Sequence, residues 1–181
     1  MKATSANLRD YIQSYTDFPK PGVVYWDFTP LLAEPAALKQ AIGRISDHFT
    51  ASGITRIAAI EAKGFTLGSC LAYAMDKPLL LIRKPELVPG EVDSEKFEKE
   101  YGFGEYQLKS GQLGQGDSVL IVYDIMAGAG AARAAINLVS RAGAKIAGLA
   151  FAIELGYLGG REQLAEYDLF SLVTIASKPM P

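Results

Sequence analysis

Histidine, tryptophan and cysteine each occur once in this chain of 181 residues, as His48, Trp26 and Cys70. A lone cysteine permits no internal disulfide, so cysteine usage leaves the redox compartment open. One cysteine and one histidine cannot assemble a zinc site either. No apolar run approaches the roughly 18 residues of a membrane span. The opening MKATSANLRDYIQ lacks the apolar core of an export signal. These absences predict a cytoplasmic protein with no membrane anchor. An excess of charge is missing too, because 18 basic and 20 acidic side chains leave a formal net charge of -2. That balance offers no electrostatic footprint for nucleic acid, whereas a small anion needs only a local positive site. Repeats, low-complexity tracts and linkers are absent, and the length fits one domain over residues 1–181.

What is present is a chain of ordinary globular composition, 49% hydrophobic and 21% charged. Leu8, Tyr11, Ile12 and Tyr15 recur at helical spacing, with Thr4 or Ser5 in position to cap. Two prolines and a glycine in DFPKPG then break helix, and Val23 to Phe28 reads as extended. Pro35 opens a second helix with Leu38, Ile42, Ile45 and Phe49 on its apolar stripe and Gly53 as a candidate cap. From Arg56 onward, short apolar strands alternate with helices: RIAAIEA, PLLLIRK, SVLIVYD, KIAGLAFAIEL and LFSLVTIA. That order predicts an α/β fold, an open and mainly parallel sheet with helices on both faces. Ligands bind such sheets at the carboxyl ends of the strands, where Lys63, Arg83 and Asp124 fall. Between Val88 and Gly104 the chain is polar and aperiodic. A stretch of that kind is expected to be a lid or mobile loop.

The segment after the VLIV strand carries the most chemistry. Asp124 ends the strand, and the turn from Ala127 through Gly128, Ala129 and Gly130 to Ala131 enters a helix. Small residues there let a phosphate approach free backbone N–H groups at the positive end of a helix dipole. By itself such a turn is only a tight strand-to-helix connection.

Five ordered motifs add to it. VLIVYDIMAGAGAA resembles the type I phosphoribosyltransferase signature, typically VLIVDDLLATGGTA, which cups the 5-phosphate and ribose of phosphoribosyl pyrophosphate. DFPKPGVVYWDFTPLL, IEAKGF, RKPELVPGE…EKEYG and ELGYLGGREQLAEYDLFSL resemble the adenine phosphoribosyltransferase family, and the likeness spans essentially the whole chain. The resemblance implies the type I phosphoribosyltransferase fold, with a homodimer as its usual assembly. It implies that adenine and phosphoribosyl pyrophosphate give AMP and pyrophosphate, with Mg²⁺ carried by the pyrophosphate and no metal held by protein side chains.

It also implies roles. Tyr25 stacks on the base, while the backbones of Val24 and Trp26 read its edge. Lys63 stands for an arginine that meets pyrophosphate, and Arg83 and Lys84 begin the mobile loop. Glu100 and Tyr101 close over the reacting centre, where Glu100 exchanges a proton with the purine. Asp124 holds sugar hydroxyls, and residues 127–131 hold the 5-phosphate.

The chain departs from the signature at three positions: Tyr123 for an acid, Gly128 for threonine and Ala131 for threonine. At ~1 kcal/mol for each hydroxyl and ~1.5–3 for the charged acid, an additive loss would reach ~3.5–5 kcal/mol. These departures leave three alternatives open: a weakened adenine enzyme, a non-catalytic homologue that senses a purine or nucleotide, and a transferase for another base or sugar phosphate. Elsewhere ordinary roles are expected. His48 is predicted to be solvated, Cys70 to pack, and Tyr11 and Tyr15 to pack along the first helix.

Overall fold

The computed structural model describes residues 7–98 and 102–178. A 3-10 helix at Leu8–Tyr11, capped by the Asn7 side chain, leads into β1 (Gln13–Thr16) and β2 (Val24–Asp27), an antiparallel pair. There follow α1 (Thr29–Ala33), α2 (Pro35–His48), β3 (Arg56–Ile60), α3 (Gly64–Met75) and β4 (Leu79–Ile82). Then come β5 (Val92–Glu98), β6 (Phe103–Lys109), β7 (Ser118–Met126), α4 (Gly130–Arg141), β8 (Lys145–Leu155) and β9 (Leu169–Ile175). Short 3-10 helices at Gly156–Leu158 and Glu162–Leu164 lie between the last two strands.

The main sheet has the order β4-β3-β7-β8-β9, and all its pairings are parallel. Its centre is the VLIV run. Leu120 and Val122 pack toward α2 and α3, while Val119 and Ile121 pack toward α4. A strand covered on both faces is apolar at every position, which is why the run lacks alternation. Alanines on α4 (Ala132, Ala134, Ala135) let that helix lie close to the sheet. The connection from β3 goes to β4 on one side and the chain then returns to β7 on the other. The carboxyl ends of β3 and β7 therefore flank the crevice where open α/β sheets bind ligands.

Several expectations need correction. The helical spacing from Leu8 to Tyr15 yields only one 3-10 turn and a strand, and Tyr15 is exposed on β1 rather than packed. Cross-strand pairing with β2 outcompetes a helix too short to sustain itself. Thr4 and Ser5 lie outside the described residues. α2 ends at His48 with Phe49 as its cap, ahead of Gly53.

The polar stretch expected to be unstructured contains β5, which pairs along its whole length with β6. This hairpin is anchored. Asn137 on α4 donates to Glu95 at 2.8 Å, and Arg141 bonds both Glu95 and the Ser94 carbonyl. Glu100 and Tyr101, with Lys99, lie outside the described residues. His48 is not simply solvated: it bonds Asp168 at 2.9 Å and packs on Phe49 and Phe170. Cys70 packs against the core, as expected.

Candidate active site

β7 continues two residues past Asp124, to Met126, still paired with β8. Asp124 is therefore a buried side chain (7% exposed) just short of the strand end rather than its last residue. Opposite it stands Lys63, the residue immediately before α3. The Lys63 Nζ is 3.1 Å from Asp124 Oδ2 and donates to the Tyr25 hydroxyl at 3.1 Å. It also lies 4.7 Å from the centre of the Tyr25 ring. Burial opposes the lysine charge, but Asp124 and the tyrosine hydroxyl outweigh it. The Lys63 pKa consequently stands above the ordinary lysine value.

Two cavities border this pair, and a third adjoins them. The first, about 510 Å³, is walled by Pro21 to Trp26 on one side and by Ile125, Ala127, Leu155, Tyr157 and Leu158 on the other. Apolar and aromatic side chains make up most of those walls. The second, about 430 Å³, carries Lys63 and Lys84 as its cations, with Glu61, Glu105, Tyr123 and Asp124. The third, about 500 Å³, lies over Gly128, Gly130 and Ala131 at the start of α4, with Phe97, Tyr123 and Leu158 around it. Lys63 and Asp124 border the first and second, and Tyr123 and Ala131 the second and third. The arrangement is one cleft with an apolar slot, a bay that carries two lysines and three carboxylates, and a backbone-lined end.

Two close approaches set its shape. A Cβ at Gly130 would lie 2.9 Å from the Glu98 carbonyl, so β5 lies directly against the start of α4. A Cβ at Gly160 would lie 2.6 Å from the Ala127 carbonyl, which lets the loop after β8 press against the turn. That loop is held by an ion pair between buried Glu154 and half-exposed Arg161. Arg161 grips Glu154 with two bonds of 2.8 and 2.6 Å. The bond from Arg161, against the cost of burial, keeps the Glu154 carboxyl below its usual range.

The structure brings Val24, Tyr25, Trp26, Lys63, Lys84, Asp124, Ala127, Gly128, Gly130 and Ala131 into the cleft. Others among the expected residues are engaged elsewhere. Arg83 reaches Glu61 at 3.3 Å and the Leu87 carbonyl at 2.9 Å, and its backbone pairs with Gln107. Ala129 is buried beneath the turn. The Trp26 side chain is buried, and its Nε1 has no partner.

Sequence reasoning passed over Tyr106, whose hydroxyl is 3.2 Å from that of Tyr123. The alternation Tyr106–Gln107–Leu108–Lys109, buried and then outward, was the signal that would have placed β6. Tyr157 and Leu158 were also overlooked as walls of the apolar slot.

No protein-family model matches the chain. Adenine phosphoribosyltransferase from Idiomarina loihiensis is 42% identical over 166 residues, covering 92% of this chain and 94% of its own. The chain belongs to the adenine phosphoribosyltransferase family. Solved members share its architecture. APRTase from Giardia lamblia, complexed with 9-deazaadenine, superposes with a TM-score of 0.91 at 30% identity, covering 97% of this chain and 100% of that one. Adenine phosphoribosyltransferase from Rhodothermus marinus gives 0.88 at 36% identity, covering 93% and 96%. The family's fold thus extends over the described residues, including the strand, turn and helix in which the signature is altered.

Proposed function

We propose that this chain joins adenine to phosphoribosyl pyrophosphate, forming AMP and pyrophosphate in purine salvage. The observation that carries this is the Lys63–Asp124 pair at the junction of an apolar slot and a charged bay. In the reaction, the bond from ribose C1 to pyrophosphate breaks while a bond from a purine nitrogen to C1 forms, and that nitrogen loses its proton. Positive charge gathers on the sugar and negative charge on the leaving group. Asp124 lies where it can favour the sugar cation and accept from a ribose hydroxyl. Lys63 and Lys84 face the leaving pyrophosphate, and Tyr25 offers its ring to the base. The free N–H groups at the start of α4 receive the 5-phosphate. Glu100 and Tyr101 complete the proposal by closing over the reaction and taking the purine proton.

Magnesium fits this site as an ion brought by the substrate. Among the described residues no cluster of metal-binding side chains occurs, while Asp124 and the two lysines suit a chelated pyrophosphate. Bound there, the ion supplies charge neutralisation to the leaving group. A homodimer is part of the same proposal. Tyr73, 92% exposed on α3, and Leu81 on edge strand β4 offer apolar surface for a second copy. The site of action is taken as the cytoplasm, and no described helix is long and apolar enough to cross a membrane.

The test is AMP formation from adenine and phosphoribosyl pyrophosphate with Mg²⁺ by the purified chain. Turnover is expected, because the relatives are transferases and do not favour the non-catalytic alternative. Purine or nucleotide binding without any turnover would overturn the proposal.

A further inference from the structure

Tyr123 precedes Asp124 on β7, so its side chain leaves the strand on the opposite face. It is directed toward the β5–β6 hairpin, where its hydroxyl meets that of Tyr106 at 3.2 Å. Tyr106 is itself buried and stacks on Phe97, with ring centres 4.7 Å apart. The three rings form one wall of the charged bay, and Phe97 and Tyr123 continue along the third cavity. Burial, reinforced by the charge of Asp124, raises the Tyr123 pKa and keeps it neutral. Asp124 has one oxygen, Oδ2, engaged by Lys63. A sugar entering this bay therefore meets, among the described residues, one carboxylate partly engaged by Lys63, and a wall of rings whose two hydroxyls are neutral and paired with each other.

We propose that this cleft recognises one ribose hydroxyl instead of two, and that Tyr123 is the residue that sets this specificity. The ligand class it adds is purine nucleoside 5′-monophosphates lacking one ribose hydroxyl, bound alongside AMP. Sites that hydrogen-bond a substrate hydroxyl reject the analogue without it, because their own polar group is left unpaired. A hydroxyl facing the Phe97–Tyr106–Tyr123 wall meets only neutral tyrosine hydroxyls that already pair with each other, so its loss leaves no charged group unpaired. The inference rests on the proposal that this cleft binds AMP.

Titration calorimetry of the full chain with AMP, 2′-deoxy-AMP and 3′-deoxy-AMP tests it. One deoxy nucleotide should bind within about threefold of AMP and the other at least about tenfold more weakly, the scale of one hydrogen bond to a charged group. Weakening of both by tenfold or more would mean that both hydroxyls are read, and would overturn the proposal. So would equal binding of all three. Tyr123→Asp should restore a preference of about tenfold or more for AMP over the tolerated analogue. Tyr123→Phe should leave the wild-type ratio unchanged; a lost ratio there would assign recognition to the tyrosine hydroxyl and overturn the wall. AMP failing to bind at all would defeat the nucleotide reading itself, an outcome distinct from deoxy rejection with AMP bound.

Discussion

The two ends of the cleft are built in different ways. The apolar slot depends on side chains: Tyr25 on β2, Ile125 on β7, and Tyr157 and Leu158 on the loop locked by Glu154 and Arg161. The far end, over the start of α4, depends on main chain, because Gly128, Gly130 and Ala131 contribute little else. On the proposed function, base recognition depends on side-chain packing, whereas the phosphate end keeps its backbone N–H groups when side-chain hydroxyls are lost. This explains how the chain departs from the signature at Gly128 and Ala131 while keeping the family's fold. Tyr123 is the exception, since its side chain has found a different partner.

That contrast can be broken at its hinge, where the largest effect is expected. Asp124→Asn should lower kcat/KM for AMP formation by about a thousandfold, because it removes the charge facing the sugar cation. Steady-state kinetics checks this, and a loss below tenfold would move the reacting centre away from β7.

The slot's support is next. Arg161→Met should cost about 2 kcal/mol of stability at neutral pH, less than a fully buried pair because the arginine is nearly half exposed, by leaving buried Glu154 with Ser171 as its remaining partner, and denaturant unfolding measures it. The pH dependence follows from the sign of the shift. Glu154 is held below its ordinary value of 4.5, so its contribution is present above that pH and fades as pH falls through the folded value. The gap between wild type and variant should therefore narrow in acid.

Restoring the signature by Tyr123→Asp, Gly128→Thr and Ala131→Thr together should raise kcat/KM by ~10–1,000-fold, the additive estimate being reduced for neighbouring sites. The gain should appear mostly for phosphoribosyl pyrophosphate and little for adenine, because only the far end changes. A gain shared equally by both substrates would erase the distinction between the ends.

The smallest effect concerns the wall. Tyr106→Phe removes one hydrogen bond, about 1 kcal/mol, and should speed amide hydrogen exchange in β6 more than in β8. Equal protection in both proteins would mean that the Tyr106–Tyr123 contact does not hold the hairpin.

Much of this was legible in the amino-acid order. The alternation of apolar runs and helical stripes is a local property, and it led to a parallel sheet with its ligand end near Lys63 and Asp124. The turn before α4 was placed within one residue, since small residues after a buried strand leave few alternatives. The hairpin was missed because β5 alternates only weakly and gains its order from β6 and α4. The first helix was misread because helical spacing over eight residues is outweighed by a neighbouring strand.

What the sequence determined by itself was the family, the strand order along the chain and the altered signature, because each is written in the kinds and spacing of residues. What only the tertiary structure decided was direction. Lys63 turns to Asp124 and Tyr25, Arg83 turns to Glu61, and Tyr123 turns to Tyr106. Tyr106 and Tyr123 are 17 positions apart on strands of different sheets, and the other partners lie 22 to 61 positions apart. A polar side chain at a strand end has several rotamers of similar energy, and the partner that folding brings beside it selects among them.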